Sequence, residues 1–132
     1  MTAIESLYYA IGEIAYAIAH ADGRVQKEER EKFHNIVAAE LRCKDYDFDI
    51  SGIIFQILDK DQTDTESAYK WAMDQIKLNS HYLSPDLKKK FIAVAEKIAK
   101  AFAPVTGEEQ SLITRFKADM APLKGDPVYY LN

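Results

Sequence analysis

The stretch Ile14-Ala15-Tyr16-Ala17-Ile18-Ala19-His20-Ala21-Asp22-Gly23-Arg24-Val25-Gln26-Lys27-Glu28-Glu29 decides the fold, because it nearly recurs eighty residues later as Val94-Ala95-Glu96-Lys97-Ile98-Ala99-Lys100-Ala101-Phe102-Ala103-Pro104-Val105-Thr106-Gly107-Glu108-Glu109. Each copy carries apolar residues at helical spacing, then a break, an aliphatic residue and a Glu pair suited to a helix start. Between positions 11–36 and 91–116 there are 7 identities in 26, among them Ala15/Ala95, Ile18/Ile98 and Val25/Val105. Such a pattern reads as a duplicated helix-corner-helix unit. The copies differ at the corner itself, where Asp22-Gly23 gives way to Phe102-Ala103 and Pro104 enforces the break instead. Chemistry at the corner is therefore one-sided.

Working outward, helical stripes fill the chain. Leu7, Ile11, Ile14, Ala15 and Ile18 form one, and Phe33, Ile36, Val37 and Leu41 the next. Ile50, Ile53, Ile54, Ile57 and Leu58 mark a third, and Ala68, Ala72, Met73 and Ile76 a fourth. Leu87, Phe91, Val94, Ala95, Ile98 and Phe102 give the fifth, and Leu112, Ile113, Phe116 and Met120 the sixth. No stretch sustains period-two alternation, so the expected fold is all-α, with about six to seven helices in one compact domain.

Helix boundaries are punctuated. Ser84-Pro85 offers a side-chain cap followed by a proline at the first helical position. Thr63-x-x-Glu66 and Thr106-x-x-Glu109 both read as capping boxes, and Asp47 or Asp49 as the cap of the third helix. The expected organisation is a helical domain over 1–124, with one repeat at about 5–42, middle helices at about 47–80 and a second repeat at about 85–122. Residues 125–132 form a tail whose Val128-Tyr129-Tyr130-Leu131 is too apolar for a solvated terminus. It is expected to pack back on the body, with a partner or a second copy as the alternative.

At 132 residues and 48% hydrophobic content the chain can bury a core without staples. A single cysteine, Cys43, excludes an internal disulfide framework and suits a reducing compartment. The apolar N-terminal stretch lacks a basic flank and is interrupted by Glu5 and Glu13, which argues against a signal peptide or membrane span and places the protein in the cytoplasm. Net charge is -4, and residues 1–80 carry 9 basic against 15 acidic side chains. That imbalance disfavours a phosphate-binding stripe and hence nucleic acid.

The Asp22-Gly23 corner has a structural use: Gly23 can take the left-handed conformation that ends a helix, Asp22 can accept backbone N–H groups, and Val25 can anchor the turn in the core. Asp-Gly-x-Val-x-x-x-Glu also matches the second half of an EF-hand loop. Ile18 and His20 stand where that loop needs oxygen ligands, so a normal EF-hand is excluded. A weaker divalent-cation site using Asp22, Glu28 or Glu29 stays open.

Residues 15–29 resemble the signature of TerB-like domains, the tellurite-resistance family that includes the N-terminal domain of DjlA-type co-chaperones. The resemblance rests on Ala21-Asp22-Gly23, the following Val25 and the Glu28-Glu29 pair. It implies an all-helical, internally duplicated cytoplasmic domain linked to stress and tellurite resistance, with acidic corner residues proposed to bind metal. Carried over, that proposal touches Asp22 and Glu29, with Glu28 as neighbour and Glu109 as the counterpart in the second copy. The chain departs from the family where Gln26 replaces a better cap and where Phe102-Ala103 replaces a second Asp-Gly. No J-domain signature is present.

Other candidates are weaker. Glu31-x-x-His34 has di-iron spacing but no second such motif, and reads as an exposed helical pair. The acidic run from Asp45 to Glu66 reads as solvated loops and caps, with a basic partner as the alternative, and Lys88-Lys89-Lys90 as a solvated face. No phosphate loop, nucleophile elbow or Cys/His metal spacing occurs. The expectation is a non-catalytic adaptor with an unidentified protein partner and, at most, a divalent cation as cofactor. The alternative is a metal-free interaction or homodimer module using Tyr129, Tyr130 and Leu131.

Overall fold

The computed structural model describes residues 1–23, 25, 32, 35, 46–101 and 105–131, and for 46–49 the backbone alone. Among the described residues the protein is all-helical, as expected, with no strand. Six α-helices are described: α1 (Ala3–Ala19), α2 (Tyr46–Asp61), α3 (Thr65–Leu78), α4 (Pro85–Lys100), α5 (Gly107–Met120) and the short α6 (Pro127–Tyr130), with a 3₁₀ turn at Ser80–Tyr82. The Phe33–Leu41 stripe, the Glu31/His34 pair and Cys43 lie outside the described residues. So does the second helix of the first repeat, and the duplication rests on sequence alone.

Helix α1 is the centre. From Leu7 to Ala19 every residue is buried except Tyr9, and α2, α3, α4 and α5 all pack against it. A surface helix buries one stripe; this one is buried on all sides. Burial of each large side chain, Leu7, Ile11, Ile14 and Ile18, stabilises the fold by about 1.5–3 kcal/mol.

Close packing needs small residues at the contact, and Gly12 supplies one. A Cβ built there would lie 2.5 Å from both Ile54 Cγ2 and the Ser51 carbonyl oxygen on α2. Beside it the buried Ser51 hydroxyl donates to the Tyr8 carbonyl oxygen. These contacts set the face that α2 presents: Ser51, Ile54, Phe55 and Leu58 are buried, whereas Ile53 and Ile57 are 58% and 48% exposed. The expected α2 stripe is thus corrected by a rotation, because the approach to Gly12 selects a different side. In α3 and α5 the stripes hold, with Ala68, Ala72, Met73 and Ile76 and then Leu112, Ile113, Phe116 and Met120 buried; in α4 Phe91, Val94, Ala95 and Ile98 are buried, Leu87 is half-buried and Phe102 lies outside the described residues.

Caps follow the local chemistry. Ser84 Oγ accepts from Leu87 N ahead of Pro85, and Thr106 and Glu109 form the full reciprocal box. A second box, Thr2 with Glu5, starts α1. The Thr63 box does not form: Asp64 caps α3, accepting from Ser67 N at 2.9 Å. The reason is that Thr63 belongs to the end of α2, where Gln62 at φ 52° closes a Schellman turn with Thr63 N donating to Leu58 O and Gln62 N to Asp59 O. Asp47 and Asp49 fall inside α2, which begins at Tyr46, so neither is its cap.

Residues 126–131 fold back. Asp126 N donates to His81 O, Tyr129 packs on the rings of His81 and Tyr82, and Gly125 sits where a Cβ would strike the Leu83 carbonyl. Lys88, expected on a solvated face, instead donates through Nζ to the Ala121 and Leu123 carbonyl oxygens at the end of α5.

The Gly12 contact yields a prediction. Gly→Ala in an exposed helix gains about 1 kcal/mol, but here overpacking against backbone should dominate. Gly12→Ala should lower stability by about 1–3 kcal/mol in urea unfolding.

Candidate functional site

The corner is built as its sequence suggests. Gly23 adopts φ 110° with its N–H donating to His20 O, Val25 is buried, and Asp22 is exposed. What pins the corner is His20. Thr65 Oγ1 donates to the His20 carbonyl oxygen at 3.1 Å and lies 2.9 Å from His20 Nδ1. Since a hydroxyl has one hydrogen, Nδ1 is the donor in the second bond. Tyr16 stacks on His20 and donates to the Thr63 carbonyl oxygen at 2.6 Å. Burial first, then the charges of Asp59 and Asp64, push its phenol up to about 12. Glu28 and Glu29 lie outside the described residues, and no group of three or more His, Cys, Asp or Glu side chains that could hold a metal occurs among the described residues.

The tail residues are placed separately. Tyr129 is 46% exposed and Leu131 75% exposed, while Tyr130 is half-buried and lines a cavity of about 330 Å³ with Leu83, Lys88 and Leu123. Asp22 lies in the turn that follows α1.

A different side chain stands out physically. Glu13, midway along α1, is 3% exposed. Its Oε1 is the one buried side-chain polar atom among the described residues with no hydrogen-bond partner. An unmet buried acceptor ordinarily costs about 1–3 kcal/mol, so such atoms are rare. Glu13 lines a hollow of about 360 Å³ with Tyr9, also on α1, and Trp71, Asp74 and Gln75 on α3. Helical geometry assembles it: Tyr9 and Glu13 are four apart on α1, and Trp71, Asp74 and Gln75 lie within one turn and a residue of α3. Trp71 is 50% exposed, and among the described residues no lysine, arginine or histidine lines the hollow.

Burial pushes the Glu13 carboxyl up to about 8. Burial also raises the Tyr9 phenol, with the neighbouring Glu13 charge adding to it. At neutral pH Glu13 is therefore largely protonated: an acid kept neutral inside the fold and opened to a hollow. Sequence reasoning treats Glu13 only as a polar interruption. The signal was a lone charged residue within the otherwise uncharged run Leu7–Ala19.

The raised carboxyl fixes a pH dependence. The folded protein binds the Glu13 proton more tightly than the unfolded chain, whose carboxyl titrates near 4.3. Its stabilising effect is full below that value and is lost as pH rises toward about 8. Unfolding free energy should fall by on the order of 1 kcal/mol per pH unit from this group between pH 5 and 8. Glu13→Gln should remove that slope in denaturant titrations at matched pH. Comparison of the chain with protein-family models, with curated proteins and with solved structures finds no match.

Proposed function

We propose that the chain is a non-catalytic, cytoplasmic adaptor of the TerB-like kind, related to stress and tellurite resistance, whose partner docks over the hollow formed by α1 and α3. The observation that carries this reading is Trp71, a half-exposed tryptophan lining a concavity together with Glu13, whose buried Oε1 has no partner among the described residues. Tryptophan is the side chain most enriched among residues that dominate binding energy, and it anchors partners best beside a pocket. Photo-crosslinking from the Trp71 face in the cells that make the protein should capture a protein partner. Trp71→Ala should weaken that partner's affinity by about tenfold or more while leaving the fold intact. Equal affinity for both chains would remove this face from docking.

A weak divalent ion at the Asp22 corner is a second reading, supported by the exposure of Asp22 at a turn held rigid by His20 and Thr65. Glu28 or Glu29 would supply further oxygens. Calorimetric titration with calcium, magnesium, manganese and zinc should then show binding that Asp22→Asn loses. No binding, or equal binding by the variant, ends the metal reading. The metal-free alternative is self-association through Tyr129, Tyr130 and Leu131, of which Tyr129 and Leu131 are exposed.

A further inference from the structure

We propose that the hollow over Glu13 is a binding site for an alkylammonium group, from a free amine or a lysine side chain, held by the Glu13 carboxylate beneath it and the Tyr9 and Trp71 rings beside it. The inference rests on reading the Trp71 hollow as a binding face, and it names the chemistry that enters.

The first argument is the unmet acceptor. Glu13 lines the hollow, and its buried Oε1 has no donor among the described residues, so an N–H that reaches it completes a hydrogen bond left open there. The second is charge. Asp74 is the other carboxylic acid among the described residues of the lining, and none of those residues is basic, which favours a cation. Ring faces add to this, because tryptophan and tyrosine attract cations within about 6 Å of their centroids. The third is shape. A volume of about 360 Å³ is at the small end of ligand sites and admits a side chain or a short amine.

Ammonium fits better than the other cations. Calcium requires six to eight oxygen ligands and magnesium a near-ideal octahedron, whereas no cluster of three or more metal-ligating side chains occurs among the described residues. A compact ammonium has three N–H donors, and Glu13, Asp74 and Gln75 bring acceptors to the hollow.

The site is also proton-linked. At neutral pH Glu13 holds a proton, and that proton must leave to solvent before a cation can be paired. Among the described residues the titratable groups sharing the lining are Tyr9 from α1 and Asp74 from α3; α2, α4 and α5 contribute none to it. Tyr9 titrates above the relevant range, and an alkylammonium stays charged to about pH 10. Affinity should therefore rise by about tenfold per pH unit below 8 and level off above it.

The test uses the full chain, titrated with n-butylammonium chloride and with Nα-acetyl-lysine methylamide against sodium chloride at equal ionic strength. Carbon-13 NMR of the glutamate carboxyls follows Glu13, and amide shifts follow the hollow. Saturating amine should lower the Glu13 titration midpoint by about one pH unit or more and shift the Trp71 indole signal. Glu13→Gln, which keeps the shape, should lose about tenfold in amine affinity at pH 8 and all of its pH dependence. Binding of both probes, or of one, supports the site and tells a peptide lysine from a free amine. The inference is overturned if neither probe exceeds sodium at pH 8.5, or if Glu13→Gln binds amine as well as the natural chain. A Trp71-dependent partner whose affinity ignores Glu13→Gln would keep the docking face and overturn the ammonium.

Discussion

The approach of α2 to α1 at Gly12 is the constraint from which the rest of the packing follows. With a hydrogen at position 12 and a serine opposite, two helix backbones come close enough for the Ser51 hydroxyl to reach the Tyr8 carbonyl oxygen. That contact fixes the rotation of α2, which in turn points its Schellman end toward α1, where Tyr16 takes the Thr63 carbonyl. Thr65 then follows directly and closes on His20. One missing side chain thus sets the start of α3 and the rigidity of the Asp22 corner together.

The same arrangement explains how a carboxyl comes to be buried. A helix enclosed on all sides has no solvated face on which to place a charge, so Glu13 can only be neutralised, paired or opened to a hollow. Here it is neutral in the free protein and faces a hollow on its α3 side. On its far side α3 is tied to α5, where Arg115 makes two hydrogen bonds to Glu66 and lies 4.2 Å over the Tyr69 ring, whose hydroxyl donates to Asp119. Trp71 and Asp74 therefore stand on a helix braced from behind. Pre-organised walls reduce the ordering cost of binding.

Local signals were legible in the sequence and long-range ones were not. The stripes of α3 and α5, the Ser84 and Thr106 caps and the Gly23 turn depend on residues within a turn or two, and each is found as read. The face of α2 is different, since Ile53 and Ile57 fit the helical period as well as Ser51 and Phe55 do; only Gly12, some forty residues away, decides between them. Thr63 reads locally as the cap of α3, but the Schellman turn claims it and Asp64 caps the helix instead. Glu13 is the sharpest case. Hydropathy cannot tell a charge on an exposed face from one on a fully enclosed helix, because enclosure is supplied by α2 through α5. Glu28 and Glu29 lie outside the described residues, so the corner they were read into is seen from Asp22 alone.

Enclosure of α1 also bears on how the protein is made. Its apolar residues are translated before every helix that covers them, and α4 and α5 follow only after Pro85 and Gly107. At bacterial to eukaryotic elongation speeds, the intervening residues leave α1 uncovered for roughly 5–20 s. During that interval a helix with no polar side is exposed to other nascent chains, and Glu13, still in water, is ionised. The charge that the finished fold suppresses is thus present during synthesis, interrupting an apolar run when it is most prone to associate.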